Sequence, residues 1–90
     1  MDDRNLKAVG KIITYAQKAI SYCNGLDENG FLANGVIIEA CVFNMIQIGE
    51  SARLLDDAFV VKHGDIPWHK IRGLRNRIVH NYEGVDTLLI

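Results

Sequence analysis

The sequence has little of several things, and each shortage narrows the problem. There is one proline, Pro67, and 23% of residues are charged, so nothing marks the chain as disordered. Ten basic and eleven acidic residues leave a formal net charge of -1. A global basic field is therefore excluded, and any nucleic-acid binding must come from a local patch. Cysteine is scarce, with only Cys23 and Cys41. Small domains stapled by disulfides usually carry more, so reduced thiols in a cytoplasmic protein are expected. The longest apolar stretch, Val36 to Ile48, is broken by Glu39, Asn44 and Gln47. It falls short of the ~20 residues a membrane span needs. The first residues, MDDRNLK, are acidic and polar and resemble no leader. With 90 residues the chain is one small domain, spanning 1–90. It is too short for a barrel of eight β/α units, which takes roughly 250 residues. A doubly wound dinucleotide domain is also hard to fit.

What is present is helical periodicity. From Arg4 to Tyr22, Leu6, Val9, Ile13, Ala16 and Ile20 recur at helical spacing, with Asp2 or Asp3 as cap. Asn24-Gly25 and Asn29-Gly30 signal turns. A long second helix is expected to begin between Phe31 and Gly35 and to pass Ser51. Ile37, Ile38, Cys41, Val42, Met45, Ile48, Ala52 and Leu55 form its main apolar arc. Val36, Phe43, Ile46 and Leu54 lie outside that arc, which points to a central helix or a subunit seam. Gly49 reads either as a point of close packing or as a bend. Helix is expected to continue or restart through Arg53 to Lys62. Asp65 is the expected cap of a further helix, opened by Pro67 and running to about His80. Gly84 reads as a break, with a short helix from Val85 to Ile90. No strand-like alternation competes, so the expected class is all-α, an antiparallel bundle with short loops.

The informative stretch is Pro67 to Tyr82, PWHKIRGLRNRIVHNY. Lys70, Arg72, Arg75 and Arg77 fall within eight positions, and no acidic residue lies between Asp65 and Glu83. On an ideal wheel Arg75 falls inside the apolar arc of Ile71, Leu74, Ile78 and Val79. Arg72, Asn76 and His80, four apart, form a polar ridge. Arg75 there either pairs with a carboxylate such as Glu39 or Glu50, or meets a phosphate bidentately. His80 either satisfies helix-end carbonyls or works as a general acid or base. Trp68 reads as a core or seam anchor rather than a base-stacking platform.

Arg75-NRIV-His80-Asn81-Tyr82 resembles the Arg-x4-His-x-Tyr motif of the HEPN superfamily. The longer IPWHKIRGLRNRIVHNY, with MIQIGESARLL at Met45 to Leu55, is similar to its HepT-like branch. The resemblance implies a HEPN-like bundle of four to five helices that dimerises, with two motif copies facing each other. It implies metal-independent RNA cleavage without a cofactor, by a type II/VII-like toxin neutralised by a nucleotidyltransferase antitoxin. His80 would then move a proton at the RNA 2′-hydroxyl or the leaving 5′-oxygen. Arg75 would hold the scissile phosphate, Asn76 would orient the site and Arg72 would hold flanking phosphate. Tyr82 would be the residue to which the antitoxin transfers AMP, or else a tyrosine packed at a helix end. Against the family pattern the last helix is truncated here.

Other chemistries fit poorly. His63, His69 and His80 show no compact ligand spacing, and the two cysteines are distant in sequence. No Gly-rich phosphate loop is present, and nothing around Cys23 or Cys41 supports a nucleophile. The remaining alternative is a non-catalytic helical module that binds the nucleotidyltransferase or a nucleotide.

Overall fold

The computed structural model describes residues 2–84, with side chains for 2–80. All regular structure among them is α-helical: α1 (Asp3–Tyr22), α2 (Glu28–Leu32), α3 (Gly35–Ala52), α4 (Asp57–Lys62), α5 (Trp68–Arg72) and α6 (Leu74–Gly84). The all-α expectation holds, with more and shorter helices than the four or five foreseen. The expected helix over Val85 to Ile90, and the truncation of the last helix, lie outside the described residues.

The caps explain most of the boundaries. Asp2 accepts the Arg4 amide at the start of α1. Asn34 accepts the Ile37 amide, which fixes the start of α3. Asp27 accepts the Gly30 amide and opens α2. Asn29 and Gly30, read as a turn in the sequence, therefore sit inside a short helix. The turn lies earlier, at Gly25, whose φ of 80° suits glycine. Asp56 accepts the Phe59 amide, so helix restarts after a turn rather than continuing from α3. Asp65 does not cap α5: Pro67 occupies that position without a side-chain bond. The single helix expected from Pro67 to His80 is interrupted at Gly73. Glycine propagates a helix poorly, and the neighbouring Arg72 is drawn sideways towards the end of α3.

The α3 helix is the central element: α1, α2, α5 and α6 all pack against it. By length and composition alone its 18 residues, mean hydropathy 1.2, would suffice to cross a membrane. Here it lies in the middle of the bundle, with Asn44 and Ser51 buried along it. Contacts at both ends show that α1 and α3 are antiparallel. Arg4 Nε donates to Leu54 O just past the end of α3, while Cys23 at the end of α1 meets Cys41. Asn5 is buried and makes a reciprocal pair with Asp56: its Nδ2 donates to Oδ2 and its Oδ1 accepts the Asp56 amide, both at 3.1 Å.

The core is small. Ala8, Ala52, Leu55 and Trp68 form it, with Val9, Ile12, Phe59, Val60 and Ile71 packed at its edge. Trp68 takes the anchoring role expected of it. Its ring packs edge-on against Phe59 at 6.0 Å, and its Nε1 donates to His63 O at 3.0 Å. Of the main apolar arc read from the sequence, Cys41, Ala52 and Leu55 are buried, Ile37, Ile38, Val42 and Ile48 are half-buried, and Met45 is exposed. Phe43 is 56% exposed and Met45 40% exposed, whereas polar Asn44 between them is buried. The buried side of α3 is thus its small and polar side, the one that lets α1 and α5 come close.

Candidate active site on the last two helices

The basic stretch occupies α5 and α6. Gly49 brings this segment against α3. A Cβ there would stand 2.8 Å from Ile71 O and 3.3 Å from Leu74 Cβ, so close packing, not a bend, is its role. Leu74 and Ile78 are half-buried towards the bundle. The opposite side of α6 is open: Arg75, Asn76, Arg77 and His80 are all exposed, as are His69 and Lys70 on α5.

Four of the five site residues expected from the sequence have described side chains, and they divide. Arg72 does not join a ridge with Asn76 and His80. Its Nε donates to Ala52 O at 3.0 Å and its Nη2 to Leu55 O at 2.9 Å. Those carbonyls end α3 and the turn after it; the fork supplies a donor to Leu55 O and a second donor to Ala52 O, which also accepts the Leu55 amide. Arg75 is not inside the apolar arc. It lies beside Glu50 of α3, with Nε 4.0 Å from Oε1, and both side chains are about half exposed. Pairing with Glu50 was one of the sequence readings. An ion pair this exposed contributes little to stability, so the guanidinium is available to a phosphate at small cost. Asn76 and His80, one turn apart on α6, share an exposed face. Tyr82 lies within α6.

Along α6 the five residues from Arg75 to His80 turn the helix through about 500°, which leaves the two about 140° apart. One copy of the motif thus presents its cation and its imidazole on different sides of one exposed helix. Among the described residues no three His, Cys, Asp or Glu side chains gather as they would around a metal ion.

The structure also joins residues the sequence kept apart. Cys23 and Cys41 were read as distant, yet their Sγ atoms lie 3.6 Å apart. The Asn5–Asp56 pair spans 51 positions and has no local signal.

The profile of the family described as ribonuclease HepT-like matches residues 12–90. "Putative RNase MJ1380" of Methanocaldococcus jannaschii is 33% identical over 91 residues, covering 100% of this chain and 84% of that protein. "Putative RNase TTE0752" of Caldanaerobacter subterraneus subsp. tengcongensis is 30% identical, covering 88% of this chain and 70% of its own. "Probable ribonuclease HepT" of Thermococcus cleftensis is 33% identical over 43 residues, covering 48% of this chain and 39% of its own. No solved structure matches the chain. The family profile spans the central helix and the whole basic segment, and the first of these relatives aligns from end to end of this chain: the chain belongs to the ribonuclease HepT-like family.

Proposed function

We propose that this chain is a metal-independent endoribonuclease that works as a homodimer in the cytoplasm. In this reading it is the toxin of a type II/VII-like toxin–antitoxin pair, neutralised by a nucleotidyltransferase antitoxin. The observation that carries the reading is the Arg75-x4-His80-x-Tyr82 motif on an exposed helix of a chain in this family.

The chemistry follows from the residue types. Arg75 meets the scissile phosphate with its fork and stabilises the charge that develops there. His80 takes the proton of the 2′-hydroxyl or gives one to the leaving 5′-oxygen, since imidazole titrates near neutral pH. Asn76, one turn before His80, orients the scissile group by hydrogen bonding. Lys70 and Arg77 add positive charge for the flanking backbone, a contribution weakened by salt. A second copy supports the site in two ways. It supplies another arginine and histidine to a cleft that one exposed α6 leaves open, and it gives Phe43 and Val36, 56% and 78% exposed, a surface to pack on. Tyr82 is the proposed acceptor of AMP from the antitoxin.

The test is cleavage of single-stranded RNA in EDTA by wild type, His80→Ala and Arg75→Ala, beside light scattering. His80→Ala is expected to lose about 10²- to 10⁴-fold of the rate with the dimer intact. Wild type that binds RNA or the antitoxin without cutting overturns the catalytic reading and leaves a non-catalytic helical module that binds the nucleotidyltransferase or a nucleotide.

A further inference from the structure

The chain contains two cysteines, on different helices, and they touch. Cys23 is the C-cap of α1, followed by the turn at Gly25. Cys41 lies on the buried side of α3. Their sulfurs are 3.6 Å apart, and both are free thiols.

We propose that Cys23 and Cys41 form a thiol–disulfide site, closed by a peroxide into an intramolecular cross-link between the end of α1 and the middle of α3. The geometry requires little movement. A disulfide is about 2.0 Å long, so the sulfurs must approach by roughly 1.6 Å. Cys23 can supply that motion, because it is the last residue before a turn and no helix continues beyond it. Cys41 is held in the bundle, and its Sγ lies 3.9 Å from Ala19 O.

The two thiols differ in access. Cys23 is half-buried and Cys41 is 7% exposed. Both border an apolar groove of about 590 Å³, walled by Ala19, Ile20, Phe31 and Met45. A small uncharged oxidant such as hydrogen peroxide fits such a groove and meets Cys23 first. Burial, then the Cys23 hydrogen bond, holds the Cys41 thiol above its usual range, which makes it the poorer first nucleophile of the two.

The chemistry balances. The Cys23 thiolate attacks one peroxide oxygen, the O–O bond breaks, and the departing hydroxide is protonated to water. Cys23 is then a sulfenic acid. Cys41, as it loses its proton, attacks that sulfur, the S–O bond breaks, and a second water leaves. Two thiols have given two electrons to one peroxide. The cross-link encloses α2 and fixes the α1–α3 corner. It is independent of the ribonuclease reading, since neither cysteine lies on α5 or α6.

The experiment treats the reduced, purified chain with hydrogen peroxide and follows it by intact mass, thiol titration and non-reducing peptide mapping. The expected result is a mass lower by two hydrogens and simultaneous loss of both thiols. The Cys23 and Cys41 peptides are joined within one chain, and the melting temperature rises by several degrees and returns with dithiothreitol. Cys23→Ser and Cys41→Ser, checked for helicity by circular dichroism, are expected to show neither the mass loss nor the reversible rise. A cross-link between two chains, or Cys23 oxidised to sulfinic acid while Cys41 stays a free thiol, overturns the proposal.

Discussion

Gly49 lies so close to Ile71 that a methyl group on its Cα would stand 2.8 Å from the Ile71 carbonyl oxygen. The oxygen belongs to backbone and cannot swing away. Alanine at position 49 gains roughly 1 kcal/mol of helix propensity. Overpacking against a fixed group costs about 1–3 kcal/mol, and with backbone as the obstacle the larger end applies. Gly49→Ala is therefore expected to destabilise the chain by about 1–2 kcal/mol. Because the Arg75 amide is 3.7 Å from the same point, α6 would shift as well. Urea unfolding measures the first effect, and RNA cleavage per folded molecule the second. An unchanged midpoint would show that the helices separate freely here.

Arg72 is predicted to matter chiefly to folding. Removing its fork leaves the Ala52 and Leu55 carbonyls without these donors, at a cost of about 2–3 kcal/mol. Lysine offers a point charge rather than a planar fork, so Arg72→Lys is expected to recover only part of the loss. Denaturant midpoints of wild type, Arg72→Ala and Arg72→Lys decide this. Equal stability in all three, with weaker RNA binding, would return Arg72 to the phosphate-holding role.

Stability is predicted to fall in acid through Asp56. Its carboxyl is held below the usual range by the Phe59 amide and by Asn5, with Arg4 assisting, against a small opposing effect of burial. A folded-state value below the unfolded one gives stability that is fully present above about pH 4 and lost as pH drops through the folded value. The urea midpoint should therefore decline as pH falls below about 4. Asp56→Asn should flatten that part of the profile. The same slope in wild type and variant would assign the acid sensitivity elsewhere.

Asn5 tests the same junction from its other side. It is 5% exposed and makes two hydrogen bonds to Asp56, so Asn5→Ala is expected to cost about 1–3 kcal/mol. Thermal melts at neutral pH would measure it. A loss below a few tenths would mean that water replaces both bonds.

Glu50→Gln should separate stability from charge. The Arg75 pair is exposed, so folding is expected to change by less than about 1 kcal/mol. Removing a negative charge 4.0 Å from the guanidinium relieves about 1 kcal/mol of competition in water. On the ribonuclease reading, RNA binds roughly fivefold tighter at low salt, and the gain fades as salt is added. Fluorescence anisotropy across a salt series reads this directly. Weaker binding in the variant would give Glu50 a positive role in recognition.

The sequence revealed the helices where its local chemistry decides them. Leu6, Val9, Ile13 and Ala16 recur at helical spacing over α1, and Asp2 caps it as an aspartate should. The basic segment and its motif were equally legible, being contiguous. The misreadings share one cause, which is that distant partners override local signals. An unbroken wheel placed Arg72 beside Asn76, but carbonyls 17 and 20 residues upstream capture it. The same wheel put Arg75 on the apolar arc and offered Glu50 as a partner; the side chain is exposed, with Nε 4.0 Å from Glu50 Oε1. Met45, placed in the main apolar arc, is 40% exposed, whereas Asn44, which breaks the apolar run, is buried. Nothing in the spacing of Cys23 and Cys41 announced that antiparallel packing would bring them together.

The shallow core carries a last consequence. Its largest member after Trp68 is one leucine, while Ile20, Val36, Phe43 and Val61 face outwards. On the proposed homodimer these side chains would be covered only in the assembled state. Folding and association would then be linked equilibria, and dilution would act as a denaturant. The melting point would rise with protein concentration, and variants would be compared at matched molarity.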